Sequence, residues 1–409
     1  MRPPRIAKYP PPEVVRSPRI EALRGAGADA VEAFWARVAA SGTPLVEPRD
    51  GEPDHRTVTF LWRGSDATRE VVLLANKLTD PSVWDASTLE RLDGTDVWHR
   101  SFRLRADWRA TYQLAPDDGA GDAPEVAGPP SRWGAAAARA VPDPYNSKTF
   151  GSRYGDAPHS VVELDAAPPQ PYVAPRPGVA RGTVTQHRFA SDILDNERDV
   201  WIYEPARAAT DVVVLLDGED WATRLPAATI LDNLIAEGAI PPTIAVMPST
   251  VDNATRWREL ACSAAFVAFV ADELLPWAAR DVAPGRTTLA GRSLGGLTAL
   301  FAALHAPGRF GRVLSQSASL WWPSGTDFDA GAGAIVDAYA RADGGVVRKT
   351  RFHLEVGLQE WALLARHRHL RDVLALHGAP LSYAEYHGGH DAICWQGGLA
   401  DGLIALTSG

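Results

Sequence analysis

The sequence is poor in cysteine: 409 residues carry two, Cys262 and Cys394. Two cysteines cannot build a disulfide framework, so nothing here calls for an oxidising compartment. Long apolar runs are also missing. The longest, from Ala261 to Val270, falls well short of the ~18 residues of a membrane span. The first residues, Met1 to Pro12, hold positive charge with no apolar stretch behind it, which is not the pattern of a secretory signal. These features predict a cytoplasmic protein with no membrane partner. Positive charge is in deficit as well, with 41 Lys and Arg against 50 Asp and Glu and a net charge of -9. That balance argues against nucleic acid as the main partner.

At roughly 100–200 residues per domain, the length suggests two domains. In the first part, Asp29 to Ala40 has helical apolar spacing, and four strand-like runs follow at 58–62, 71–75, 98–104 and 109–114. Short strands between turn residues predict a β-sandwich over 1–160, led by one helix. Residues 115–139 read as a loop rich in Ala, Gly, Pro and Asp. Five prolines between 165 and 179 mark a semi-rigid linker over 161–180. From 181 to 409 strands and helices alternate: strands at 183–189, 198–203, 212–216, 243–247, 287–290, 312–315, 351–356 and 381–386, helices at 227–237, 264–279, 297–305 and 396–406. That alternation predicts a mostly parallel sheet flanked by helices. The expected fold class is therefore α/β, an α/β-hydrolase preceded by an N-terminal β-sandwich.

Gly291-Arg292-Ser293-Leu294-Gly295 lies between a predicted strand and a predicted helix. This is the setting of a nucleophile elbow, whose sharp turn needs tiny residues two before and two after the serine. Ser293 is the candidate nucleophile, and the N–H of Leu294 the first oxyanion donor. A second donor is expected from the turn after an earlier strand, where Gly218 would admit the N–H of Glu219. Serine needs a base, and the order in this fold is Ser, acid, His. His390, on a Gly-flanked loop after the last strand, is the best of 11 histidines, with His387 its rival. His353 reads as structural, and His367 and His369 as solvated on a polar helix. With His377 these lack the i, i+4 spacing of a helical zinc site, so no metal and no cofactor are expected. The acid should follow the strand 351–356: Glu360 in the loop, or Glu355 within the strand. Asp391 reads as turn chemistry or a helix cap.

The chain resembles the enterochelin (enterobactin) esterases. The resemblance rests on Leu216-Asp-Gly-Glu-Asp-Trp221, Arg256-Trp-Arg-Glu-Leu260, the Gly291–Gly296 elbow and Gly388-Gly-His-Asp-Ala-Ile-Cys-Trp395. In the first half it rests on Val58-Thr-Phe-Leu-Trp-Arg63, Leu92-Asp-Gly-Thr-Asp-Val-Trp98 and Asp143-Pro-Tyr-Asn146. It implies an immunoglobulin-like N-terminal domain, catalytic Ser293 and His390, and Arg256 near the substrate. Arg292 departs from the neutral residue, often Gln, expected at its position. It further implies a serine esterase that hydrolyses ferric catecholate trilactones in the cytoplasm to release iron.

A tris-catecholate is strongly anionic, so arginines and aromatics should line its pocket. Arg256, Arg258 and Arg292 could supply charge. Trp221, Trp257, Trp321, Trp322 and Trp395, among 14 tryptophans, could supply ring faces. For Arg256 the competing reading is a structural ion pair with Glu259 or Asp252. The sandwich is expected to roof the active site or to serve a homodimer. Two other functions fit less well: a general carboxylesterase or thioesterase on the same scaffold, and an inert siderophore- or glycan-binding protein.

Overall fold

A computed structural model describes residues 12–119, 131–153, 157–279, 281–323 and 333–408. Its contacts divide these residues into two compact units. One comprises 12–168 with 387–393, the other 169–386 with 394–408. The first unit thus claims a seven-residue piece from near the C-terminus that the sequence pattern did not assign to it.

Eight strands build the first unit: β1 (Leu45–Pro48), β2 (His55–Arg63), β3 (Glu70–Ala75), β4 (Glu90–Arg91), β5 (Val97–Arg105), β6 (Arg109–Asp117), β7 (Thr149–Phe150) and β8 (His159–Glu163). They form two antiparallel four-stranded sheets, in the orders β1-β2-β5-β4 and β3-β6-β8-β7. Val58, Phe60 and Phe102 pack against Val71, Leu73, Tyr112 and Leu114 in one core. Phe60 meets Tyr112 edge-on at 4.9 Å between ring centroids. Burying side chains of this size stabilises by ~1.5–3 kcal/mol each. The helix Ala28–Ser41 buries Val31, Phe34, Trp35 and Val38, the helical spacing read from sequence, against Leu61, Leu92 and Val97. The expected loop 115–139 differs from the structure in two places. Strand β6 runs on to Asp117, and Arg132–Ala138 is a helix whose N-terminus is capped by the Ser131 hydroxyl. The remainder of that stretch, 120–130, lies outside the described residues.

The second unit is an eight-stranded sheet of β9 (Thr183–Ser191), β10 (Asn196–Glu204), β11 (Asp211–Leu215), β12 (Thr243–Pro248), β13 (Thr287–Arg292), β14 (Arg312–Gln316), β15 (Arg351–Gly357) and β16 (Leu381–Tyr386). Its order is β16-β15-β14-β13-β11-β12-β10-β9. Strands β11 to β16 pair in parallel, and β9 and β10 add an antiparallel edge. The central strands β11 and β13 are buried at every position, as a sheet covered on both faces requires. Residues 164–182 run without helix or strand, and the Asn233 amide donates to the carbonyls of Tyr172 and Ala174 within this segment.

Two helices depart from expectation. The predicted helix 264–279 is broken into Ala264–Ala268, a π-helical stretch Phe269–Leu274 and Leu275–Ala278. Pro276 has no N–H to give and crowds the carbonyl four residues back, which accounts for the widened turn ahead of it. The C-terminal helix starts at Ala392, four residues before the expected 396. The Asp391 carboxylate accepts from the Ile393 N–H, so the first turn is capped from outside the apolar pattern.

Candidate active site

Ser293 joins β13 to the helix Leu294–His305 with φ 56° and ψ -119°. A non-glycine residue in this region is strained, and such strain persists only where neighbours over-determine it. They do so here: the Ser293 N–H donates to the Gln316 carbonyl at 2.9 Å, and the Ser293 carbonyl accepts from Ser319 N–H at 3.0 Å. Glycine is obligatory at 291 and closely fitted at 296. A Cβ on Gly291 would lie 2.3 Å from the Gly295 carbonyl carbon, and one on Gly296 3.0 Å from the Ser315 hydroxyl. The Ser293 hydroxyl lies 3.3 Å from that of Ser319.

Leu294 is the first residue of its helix, so its N–H has no partner within the helix and lies at the positive end of the helix dipole. Glu219 is the second residue of the helix Gly218–Thr223. A side chain at Gly218 would strike the Met247 carbonyl at 2.3 Å, so glycine alone lets this turn approach β12. The Glu219 carboxylate is anchored to Thr250, accepting from its N–H at 3.1 Å and its hydroxyl at 2.7 Å.

The two candidate acids sit in different surroundings. Glu355 is within β15, accepting from the Gln316 amide at 2.7 Å and pressed against Gly398, where a Cβ would lie 2.1 Å from its carboxylate. Glu360 ends the loop after β15 and precedes the helix Trp361–Leu376. It is 1% exposed and accepts from the Ser317 hydroxyl at 2.6 Å and the Gly357 N–H at 2.8 Å. Ser317 itself has φ 49° and accepts from the Trp395 indole at 3.0 Å. Burial, followed by the Glu360 carboxylate, drives the Tyr386 phenol well above its usual range; it stays protonated beside this cluster. For the base, the rival His387 is engaged elsewhere, its Nδ1 2.9 Å from the Asp107 carboxylate.

The arginines and tryptophans fall into layers the sequence did not reveal. Arg256 is buried and its guanidinium grips Asp217 with two bonds of 2.6 and 2.8 Å. The partners weighed from sequence are otherwise employed: Glu259 pairs with Arg198 at 2.8 Å, and Asp252 caps its own helix through Thr255 N–H. A bidentate pair beside the elbow is a more directional contact than either would be. Arg292, expected on a ligand-facing surface, is 2% exposed. It pairs with Asp220, and its guanidinium lies 5.5 Å from the Trp221 ring centre and 5.4 Å from that of Trp395. Trp221 and Trp395 are 1% and 5% exposed. These three side chains therefore support the elbow as a buried cation–π stack instead of presenting faces to solvent. A second aromatic group is Trp257, Trp321 and Trp322, with ring centres 5.8–6.1 Å apart and Trp321 buried between its partners and the core. Trp257 and Trp322 are half-buried. Trp321 and Trp322 follow Ser319 by two and three residues.

His367 was expected to be solvated, and the structure overturns that. It is fully buried. Its Nδ1 faces the Leu363 carbonyl at 3.0 Å, and its Nε2 accepts from Ala318 N–H at 3.0 Å. It steadies the backbone between Ser317 and Ser319, a role no local pattern signals. His369 is exposed and His353 buried in β15, as expected. Cys262 and Cys394 are not joined in a disulfide.

Comparison with known proteins adds to this geometry. Residues 57–173 match the family model described as "Enterochelin esterase, N-terminal", and residues 191–406 the model described as "Putative esterase". The chain is 37% identical to the iron(III) enterobactin esterase of Dickeya dadantii, covering 92% of this chain and 93% of the relative. It is 31% identical to the iron(III) salmochelin esterase of an Escherichia coli O6:H1 strain, covering 91% and 93%. Among solved structures, the ferric enterobactin esterase of Salmonella typhimurium superposes with TM-score 0.77 at 31% identity, over 92% of this chain and 98% of that one. The Shigella flexneri enterobactin esterase crystallised in the presence of enterobactin gives TM-score 0.74 at 30% identity, over 92% and 97%.

Proposed function

The chain belongs to the enterochelin esterase family, and from that membership we propose that it is a serine esterase hydrolysing the ester bonds of enterobactin-type catecholate siderophores, with Ser293 as nucleophile. The observation that carries the nucleophile is the strained Ser293 elbow: φ 56° at the head of the helix Leu294–His305, two residues after Gly291, where no side chain fits. Iron enters as cargo of the substrate, and its release follows loss of the trilactone that presents three catechols together.

Ser293 Oγ attacks an ester carbonyl while His390 takes its proton. The N–H groups of Leu294 and Glu219 receive the oxyanion, each donor being worth ~3 kcal/mol in transition-state stabilisation. His390 then returns the proton to the departing serine hydroxyl of the siderophore, and water, activated by the same imidazole, clears the acyl-enzyme. Glu360 is the third member in this account. Its loop position after β15 and its contact with Ser317 favour it over Glu355, which β15 and the C-terminal helix hold between them. The acyl half of the scissile ester is aromatic-bearing and anionic, and the Trp257–Trp321–Trp322 cluster offers rings suited to it. Arg256, neutralised by Asp217, contributes donors more than net charge. The cytoplasm is the proposed place of action.

Ser293→Ala should abolish release of linear catecholate-serine products from ferric enterobactin, followed by HPLC. Product release at the wild-type rate would remove Ser293 from the mechanism. Comparing p-nitrophenyl esters with the trilactone separates this reading from a general carboxylesterase: a siderophore esterase favours the trilactone in kcat/KM by orders of magnitude, a general one does not.

A further inference from the structure

His390 sits in a loop held by both a short internal turn, Asp391 N–H to the Gly389 carbonyl at 2.9 Å, and partners distant in sequence. Gly388 and Gly389 precede it, and glycine gives up more backbone freedom on ordering than any other residue. The loop's ends continue into β16 and the helix Ala392–Thr407, yet residues 387–393 belong by their contacts with the sandwich. The attachments are specific. The Asn76 side-chain amide donates to the His390 carbonyl at 2.8 Å. The Asp391 carboxylate accepts from both the N–H and the hydroxyl of Thr111, at 2.6 and 2.8 Å, through one oxygen. Its other oxygen caps the Ile393 N–H. The His387 carbonyl accepts from Arg109 N–H at 3.2 Å, and its ring meets Asp107. A Cβ on Gly389 would lie 2.7 Å from the Asn76 carbonyl oxygen and from the Lys77 Cβ, so the loop backbone lies directly on residues 76 and 77. Lys77 has φ 58°, a second strained residue at the point of contact.

We infer that Asn76 and Thr111 are positioning residues for the general base: the sandwich's catalytic contribution is to clamp the His390 loop through the His390 carbonyl and the Asp391 carboxylate. This rests on the reading of His390 as the base. The chemistry favours a positioning role over simple packing. Asp391 is 4% exposed and Thr111 6% exposed, and a buried carboxylate accepting several hydrogen bonds is costly to release. Both bonded groups flank or belong to His390 itself, so their loss lets the imidazole drift while the sandwich core of Phe60, Phe102 and Tyr112 is untouched. A displacement of about 1 Å in a catalytic group can cost on the order of 100-fold in rate.

The experiment uses the full chain and five variants: His390→Ala, Asn76→Asp, Thr111→Val, Thr111→Ser and the double variant N76D/T111V. N76D keeps the shape of the side chain and puts an acceptor where a donor was. T111V removes the hydroxyl and keeps the N–H, whereas T111S keeps both. Steady-state kinetics on ferric enterobactin, the pH–rate profile and thermal melting are measured for each. The expected result is a fall in kcat of about 10-fold for N76D and for T111V, with KM within twofold and the melting temperature within a few degrees. The double variant falls further, the acid limb of the profile moves, and T111S stays within twofold of wild type. If N76D fails to fold, the T111V and T111S pair decides alone. Wild-type kcat in both N76D and T111V, or a loss that tracks melting temperature and appears equally in T111S, overturns the clamp. Activity remaining in H390A instead sinks the assignment of the base, and the two failures are thereby told apart.

Discussion

The elbow at Ser293 and the loop at His390 solve the same problem by opposite means. The elbow is built from within: Gly291 leaves no room for a Cβ and Gly295 and Gly296 are tightly packed, and bonds to Gln316 and Ser319 lock the Ser293 backbone. The His390 loop is built from outside, with partners 280 and 314 residues away in sequence. A nucleophile must hold one strained geometry through the whole reaction. A base must give and take a proton on two oxygens in turn. On the proposed roles, a rigid local turn serves the first demand, and bonds from residues distant in sequence serve the second.

The comparison can be broken most sharply at its rigid end. Gly291→Ala would set a methyl group 2.3 Å from the Gly295 carbonyl carbon, backbone against backbone, with no flexible atom to yield. Hydrolysis should fall by at least on the order of 10³-fold, since oxyanion donors and nucleophile move together, and thermal melting should drop as well. An active, stable G291A would mean that the elbow is looser than its φ value implies. Next in size is Glu360→Gln. Its contacts with Ser317 and Gly357 survive in shape but lose the charge that would stabilise an imidazolium. A fall in kcat on the order of 10²-fold, with KM little changed, is expected. Glu355→Gln should leave kcat within a few-fold and act mainly on melting temperature, because Glu355 is bound to Gln316 and packed on Gly398. The reverse ranking would move the acid to β15. The Asn76 and Thr111 substitutions, about 10-fold each, are the smallest of the series and probe the clamped end.

How much of this was legible in the sequence follows the same division. Strand–turn–helix context and glycine spacing are local, so the elbow, the alternating half of the chain and the leading helix could be read directly. The reading of His390 as the base came from its Gly-flanked loop after the last strand and from the family motifs. What could not be read are the non-local pairs. Arg256 finds Asp217 across 39 positions, Arg292 finds Asp220 across 72, and His367 reaches Ala318 across 49. A polar residue's partner depends on which strands are neighbours, and the order β14-β13-β11-β12 brings together segments no periodicity links. For that reason Arg292, Trp221 and Trp395, read from sequence as ligand contacts, lie buried with the guanidinium between the two rings. The start of the C-terminal helix was misplaced for a related reason. Its cap, Asp391, is also the acceptor for Thr111, 280 positions away, a pairing no local pattern signals.

The most direct test of the central assignment is covalent. The native protein is treated with a fluorophosphonate, digested, and the adduct mapped by mass spectrometry, with loss of ferric enterobactin hydrolysis followed in parallel. The account predicts one adduct per chain, on Ser293, appearing in step with the loss of activity and absent from H390A over the same interval. Full activity in protein labelled at Ser293, or inactivation with the adduct on another residue such as Ser317 or Ser319, would contradict it.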